Sequence, residues 1–87
     1  MKYKLRNGVF LHEEENKKFA INTGSNSIFE LNEVANIIFE NIEKEMEVDM
    51  IFEVLNQTFP EALAKDLKED LKTFTEYLQS EEFIEML

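Results

Sequence analysis

The first third of the chain alternates apolar and polar residues over short runs, which is the pattern of half-buried β-strands. Strands are predicted at residues 9–13, 18–22 and 27–31, and turn-forming polar runs separate them at residues 14–16 and 23–26. The Asn7-Gly8 pair is a further tight-turn signal, and it predicts that residues 3–6 fold back as an additional edge strand. We therefore expect this part of the chain to form an antiparallel sheet.

From Asn32 onward the apolar residues recur every three or four positions, which is the spacing of helices that pack by one face. Asn32 is a good N-cap for a first helix over residues 33–44, and Asp49 is the expected cap of a second helix. Pro60 marks a boundary, because proline disrupts a helix interior. A third helix is predicted over residues 61–79, with an apolar stripe of Leu63, Leu67, Leu71, Phe74 and Leu78.

The order of these elements predicts one domain of the α+β class over residues 1–87. A three-stranded antiparallel sheet comes first and a three-helix bundle follows it, in a winged-helix-like arrangement. The helices must cover one face of the sheet, because three strands are the lower limit for a stable independent sheet.

The third predicted strand contains two adjacent apolar residues, Ile28 and Phe29. Successive side chains in a strand point to opposite faces, so one of the two is directed away from the core. Two explanations fit this pattern. Either helices cover both faces of a short twisted strand, or the outward residue lines a groove for a binding partner.

Composition excludes several kinds of chemistry. The chain has no cysteine, which excludes disulfides, thiolate metal sites and a cysteine nucleophile. His12, the only histidine, has no partner nearby in sequence, and the acidic run at residues 13–15 lacks the alternating ligands and fixed glycine of a calcium loop. Two glycines are too few for a phosphate-binding loop. We therefore expect a binding module without cofactor or metal, rather than an enzyme.

The net charge of −10 is unevenly distributed. Residues 1–31 carry five basic and four acidic side chains, whereas residues 32–87 carry four basic and fifteen acidic ones. So acidic a surface repels nucleic acid and anionic membranes, because both are bound mainly through lysine and arginine. A peptide or protein partner is therefore expected. The sequence has neither an apolar run of about 18 residues nor a signal-peptide core, which predicts a cytoplasmic location by default.

The third helix carries the most informative charges. Lys65, Lys68 and Lys72 form a ridge on one side of its apolar stripe. Intrahelical pairs with neighbouring acids can explain each lysine, although such pairs stabilise a helix only slightly. The ridge as a whole also fits contact with an acidic peptide. Between ridge and stripe lie Ala64, Lys68, Leu71 and Thr75, and the opposite flank holds Asp66, Asp70, Thr73 and Tyr77.

Residues 19–33 resemble the hairpin of PqqD-like domains. In that family a strand ends in a Leu-Asn pair that opens the first helix, and here the pair is Leu31-Asn32. Ala35 and Ile38 stand where the family's first helix usually has a small residue and then an apolar one.

The segment 70–74 together with Leu78 is similar to the third helix of the same family, in which an Asp is followed by apolar residues at helical spacing. The resemblance covers about residues 4–84. The sequence departs from the family at residues 80–84, where members often have a glycine before an apolar pair.

The resemblance implies that the chain is a RiPP recognition element, where RiPP denotes a ribosomally made, post-translationally modified peptide. Members bind the leader segment of the precursor peptide and present it to a modifying enzyme, often a radical-SAM protein or a peptidase, in pathways such as that of lasso peptides. They are catalytically silent. The leader adds as an extra strand to the third strand, and its side chains enter a groove beside the third helix, which is β-augmentation.

The site implied by this resemblance has two sides. The third strand offers backbone partners at Ser27, Ile28, Phe29, Glu30 and Leu31. The third helix offers Ala64, Lys68, Asp70, Leu71, Lys72 and Thr75. In this hypothesis Leu71 lies on the floor of the groove with Ile28 or Phe29, the lysines and Thr75 meet polar leader residues, and Asp70 is carried over by its motif position. The lysine flank is selected on charge alone, because the sequence does not fix which flank of the helix faces the peptide.

Two other functions fit a small sheet with three helices. A winged-helix transcriptional regulator needs a basic recognition helix, but residues 61–79 hold three lysines against five acidic residues, which disfavours DNA binding. A protein-interaction subunit could instead dimerise through its exposed strand. Both functions stay as alternatives to leader binding.

Overall fold

Eight elements follow one another in the computed structural model, which describes all 87 residues. They are β1 (Tyr3–Leu5), β2 (Val9–Glu14), β3 (Lys17–Asn22), β4 (Ser27–Leu31), α1 (Glu33–Glu43), α2 (Val48–Thr58), α3 (Ala64–Ser80) and β5 (Ile84–Met86). The antiparallel sheet and the three helices that follow it confirm the predicted α+β class.

Strands β2, β3 and β4 form an antiparallel sheet in that order. Glu15 and Asn16 join β2 to β3, and both have positive φ, at 51° and 66°. Two successive positive φ angles are the signature of the type I′ hairpin turn, whose twist matches that of the flanking strands. The three strands predicted between residues 9 and 31 are therefore confirmed, with shifts of one residue at some ends.

Strand β1 pairs antiparallel with β5, so that the two ends of the chain form a separate ribbon. The prediction that residues 3–6 fold back onto the main sheet was wrong. The Asn7-Gly8 turn is present, and Val9 N–H donates to the Arg6 carbonyl at 3.1 Å. However, the Arg6 N–H donates to the Phe83 carbonyl at 3.0 Å, which directs the segment to the C-terminal strand.

Of the three helices, only α1 begins at a residue whose side chain caps it. The Asn32 side chain accepts a hydrogen bond from the Ala35 N–H at 2.8 Å, which confirms it as the N-cap of α1. The predicted cap of α2 was wrong, because Glu47 occupies that position and Asp49 lies inside the first turn. A carboxylate in the first turn still interacts favourably with the helix dipole.

Helix α3 begins three residues later than predicted. Pro60 lies in a turn that is closed by the Ala62 N–H and the Phe59 carbonyl, and Leu63 is extended at the N-cap position. Leu63 was expected in the apolar stripe, but 62% of its surface is exposed. The stripe of α3 is therefore shorter than the sequence predicted.

One buried core joins the inner face of the sheet, the terminal ribbon and the three helices. Its members are Tyr3, Val9, Ala20, Leu31, Ile38, Phe39, Ile42, Ile51, Leu55, Leu67, Leu71, Leu78, Phe83 and Ile84. Half-buried Phe29 and Phe74 pack against this core from the side of β4 and α3. The core therefore fixes α3 relative to the last strand of the sheet.

Asn22 is a buried polar residue that links the sheet to the C-terminal segment. Its Nδ2 donates to the Glu82 carbonyl at 2.9 Å, and its Oδ1 accepts from the N–H groups of Gly24 and Ser25 at 2.9 and 3.3 Å. One side chain therefore closes the β3–β4 turn and holds the start of the terminal ribbon.

We expect Asn22→Ala to lower the free energy of unfolding by about 1–3 kcal/mol, because it removes three hydrogen bonds made by a buried side chain. Urea denaturation followed by circular dichroism measures this change. Asn56→Ala, in α2, is the matched control, because the Asn56 side chain makes no hydrogen bond in the structure. An equal effect of the two substitutions would show that the Asn22 hydrogen bonds do not stabilise the fold.

Candidate functional site

Strand β4 is the last strand of the main sheet, and one of its edges has no β partner. An unpaired edge presents a row of N–H and C=O groups to any extended chain that approaches it. The five residues Ser27–Leu31 provide this edge, as the sequence predicted for the strand side of the site.

The side chains of β4 alternate between two faces. Phe29 and Leu31 point toward the helices, where Phe29 is half-buried and Leu31 is buried. Ile28 and Glu30 point the other way and are exposed, Ile28 to 61%. Helices therefore do not cover both faces of this strand, and Ile28 is its outward apolar residue.

Phe29 joins the edge strand to α3 through a cluster of aromatic rings. Its ring centroid lies 6.1 Å from that of Phe74, 5.5 Å from that of Tyr77 and 5.0 Å from that of Phe83. The rings meet at interplanar angles of 68–85°, the edge-to-face arrangement that aromatic pairs prefer. This contact fixes which flank of α3 is turned toward β4.

A cavity of about 370 Å³ opens between α1 and this flank of α3. Its lining residues are Asn32, Val34, Ala35, Ile38, Asp70, Thr73, Phe74 and Tyr77. Asp70 is the only charged residue among them. We call the free edge of β4 and this cavity together the β4 cleft.

The β4 cleft combines two features that suit a peptide. The free edge supplies backbone donors and acceptors, and the mostly apolar cavity supplies a place for side chains. Asp70, carried over from the family motif, lies in the cavity lining, on the flank of α3 opposite the lysines.

The lysine-bearing flank of α3 lies elsewhere. Lys68, Leu71, Lys72 and Thr75 line a second and larger groove of about 930 Å³, which is bordered by α2 and the terminal ribbon. Leu71 and Thr75 are buried, and the Thr75 hydroxyl donates to the Leu71 carbonyl at 2.9 Å. Ala64, at the first position of α3, is exposed.

The expectation that this flank and β4 border one groove was therefore wrong. The rings of Phe74 and Tyr77 occupy the flank that faces β4, about half a turn around the helix from Lys68 and Lys72. Charge alone is a poor guide to orientation, because the packing of apolar side chains decides which flank is turned inward. That these residues contact a leader peptide is a prediction of the sequence alone, and the leader titration of the lysine variants described below tests it.

Three aromatic residues of the site were missed, namely Phe74, Tyr77 and Phe83. Phe74 was assigned to the core stripe of the third helix, and Tyr77 was placed on the flank that was not selected. The available signal was the spacing of three residues between Phe74 and Tyr77, which brings the two aromatic rings to one side of a helix. Phe83 gave no such signal, because it lies beyond α3.

The structure contains no cluster of three or more His, Cys, Asp or Glu side chains that could hold a metal ion. None of its helices has the length and apolarity needed to cross a membrane. His12 is exposed, and its nearest charged neighbour is Glu14 at 4.0 Å. The β4 cleft is therefore the feature on which a functional argument can be built.

A free sheet edge beside a cavity lined by aromatic and aliphatic side chains is an arrangement that can accept an extended chain as an added strand. The family model of coenzyme PQQ synthesis protein D, PqqD, matches residues 9–84. The chain therefore belongs to the PqqD family, which confirms the resemblance found in the sequence.

Two solved structures share the fold over nearly the whole chain. TbiB1, in complex with the TbiA(beta) leader peptide, superposes with a TM-score of 0.84 at 17% identity and covers 97% of this chain and 96% of its own. Lasso peptide synthetase B1, complexed with the leader peptide, superposes with a TM-score of 0.85 at 14% identity. The match covers 99% of this chain and 100% of the synthetase chain. A comparison with curated protein sequences gave no match.

Proposed function

We propose that this domain binds the leader segment of a ribosomally made precursor peptide and presents it to a modifying enzyme, such as a radical-SAM protein or a peptidase. The observation that carries the proposal is the free edge of β4 beside an aromatic cavity. Membership of the PqqD family and the two leader-peptide complexes that share the fold support it.

In this proposal the leader adds to β4 as a fourth strand of the main sheet. Its backbone pairs with Ser27–Leu31, and every second side chain points toward the helices. Those inward side chains reach Phe29, Phe74 and Tyr77 and enter the cavity between α1 and α3. Backbone pairing supplies affinity, and the cavity selects the residue type.

Asp70 gives the cavity its chemical preference. It is the only charged residue of an otherwise polar and apolar lining, and it is exposed enough to remain hydrated when no peptide is bound. A leader that places a basic side chain or a hydrogen-bond donor next to its apolar anchor would satisfy this carboxylate. Apolar leaders with an acidic residue at that position are disfavoured by repulsion.

The proposed role is that of a binding partner without catalysis. This role requires that the domain is located in the cytoplasm, because a ribosomally made precursor is available there before export. The net charge of −10 disfavours the alternative role as a DNA-binding regulator, because DNA is bound mainly through basic side chains.

N-methylation of the leader backbone tests strand addition directly. In a synthetic leader of the cognate precursor, each backbone nitrogen is methylated in turn, and affinity is measured by fluorescence anisotropy. We expect a period of two, with about tenfold weaker binding wherever the methyl replaces a hydrogen bond to β4, and little change at the positions between.

The unmethylated leader and a scrambled leader of the same composition are the controls. Binding of the natural leader without the alternation would mean that the peptide does not add as a strand. Equal affinity for natural and scrambled leaders would remove the proposed function itself.

A further inference from the structure

The second groove of the molecule runs along the flank of α3 that faces away from β4. Its volume is about 930 Å³, and α2 and the terminal ribbon form its other walls. The apolar part of its lining includes Tyr3, Val48, Phe52, Leu71 and Met86. We call it the lysine groove, because Lys65, Lys68 and Lys72 stand along its α3 side.

The three lysines of this groove have no acidic partner within 4.0 Å, so the intrahelical ion pairs that the sequence allowed do not form. The absence of these ion pairs contrasts with the many acidic residues in the same part of the chain. Residues 32–87 carry four basic and fifteen acidic side chains, and the groove lining takes three of each, which leaves one lysine and twelve carboxylates elsewhere in that segment. The groove lining is therefore neutral, whereas the rest of residues 32–87 carries a net charge of −11.

We propose that the lysine groove docks an acidic amphipathic segment of the modifying enzyme, an inference that rests on the proposed function. Acidic side chains of that segment pair with the free lysines, and its apolar side chains cover Phe52 and the exposed Met86. Methionine at such a surface adapts to partners of different shape, and an apolar groove beside two helices suits an incoming helix.

Other ligands fit this groove less well. Anionic lipid and nucleic acid need an extended basic surface, which three lysines interspersed with Asp49, Glu69 and Glu76 do not provide. A leader strand on β4 lies on the other side of α3, across a helix that is about 10 Å in diameter. The two sites can therefore be filled at the same time, so that the domain holds the leader on one side and the enzyme on the other.

The test uses 20-residue fluorescent peptides tiled through the modifying enzyme that acts on the same precursor, titrated against the whole domain. We expect an acidic tile to bind and the Lys68→Glu/Lys72→Glu variant to bind it about tenfold more weakly or worse. The control variant Lys17→Glu/Lys44→Glu makes the same change in net charge on exposed residues outside the groove, and it should retain affinity within about twofold.

Phe52→Ala, which removes apolar surface without a change in charge, should also lower the affinity of the domain for the acidic tile. The proposal is overturned if no acidic tile binds, if the two charge variants lose affinity equally, or if saturating leader displaces the tile. Preferential binding to vesicles that contain phosphatidylserine would overturn it as well.

Leader titration of the same variants separates the two proposals. Both charge variants should bind the leader like the parent domain, because their lysines lie outside the β4 cleft. A domain that binds the enzyme tile but not the leader would contradict the proposed function and leave the docking site standing. The opposite result would remove the docking site alone.

Discussion

Replacement of Phe29 by alanine is expected to weaken leader binding by about 30-fold or more, the loss typical of an aromatic residue at the centre of an interface. The Phe29 side chain stands in the middle of β4 and packs on Phe74 and Tyr77, which line the cavity. Its removal therefore disturbs both sides of the β4 cleft. Fluorescence anisotropy with the synthetic leader gives the affinity.

Ile28→Ala is the matched control, because Ile28 is the neighbouring residue of the same strand but points away from the helices. It should change leader affinity by less than about threefold, as expected for a side chain outside the interface. A melting curve of each variant checks the fold. If Phe29→Ala does not fold, Tyr77→Ala tests the same cluster from the exposed side, where 45% of the tyrosine surface is accessible.

Equal affinities of the Phe29 and Ile28 variants would exclude the inner face of β4 as the place where leader side chains are read. A loss confined to Ile28→Ala would mean that the peptide binds on the outer face of the sheet.

The largest effect on stability is expected from Phe83→Ala, at about 3–5 kcal/mol of unfolding free energy. Phe83 is 1% exposed, contacts Phe29 edge-to-face and precedes β5, so its ring fills the space between sheet, α3 and terminal ribbon. Small domains are stable by only about 5–15 kcal/mol, so a loss of this size should lower the urea midpoint of unfolding strongly. Urea titration of circular dichroism measures the change.

Met86→Ala is the control for this substitution, because Met86 lies in the same C-terminal segment but is exposed. Its effect should stay within about 0.5 kcal/mol, the usual range for surface sites. A loss below about 1 kcal/mol for Phe83→Ala would mean that the C-terminal segment is not part of the cooperative core.

The sequence predicted the elements whose signals are local. Alternation along residues 9–31 indicated the three strands of the sheet, and the Asn32 cap with its helical spacing indicated the start of α1. Strand β5 has only three residues, too few for a visible period, and its partner β1 lies at the other end of the chain. Pairing over such a separation depends on the folded core, which no local pattern records.

Of the candidate site, the sequence indicated strand β4 and Asp70, but not the aromatic flank of α3 that faces β4. β4 was selected because the resemblance to PqqD-like domains implies strand addition there, and the adjacent Ile28 and Phe29 fitted one residue that points away from the core. The flank of α3 could not be derived in the same way, since it depends on how Phe29 packs against Tyr77. The lysine flank was chosen because basic residues are rare in this acidic chain. In the structure these lysines lie on the side of α3 that faces away from β4.

In the proposed complex, the shortness of β4 has a consequence for how long a leader stays bound. Ordering a five-residue stretch of free peptide costs about 5–10 kcal/mol of backbone conformational entropy. Backbone pairing along one short strand offsets only part of this cost, so the side-chain anchor must supply the remainder. Such a complex dissociates readily once the anchor is withdrawn, which suits a carrier that must release each peptide before it takes up the next.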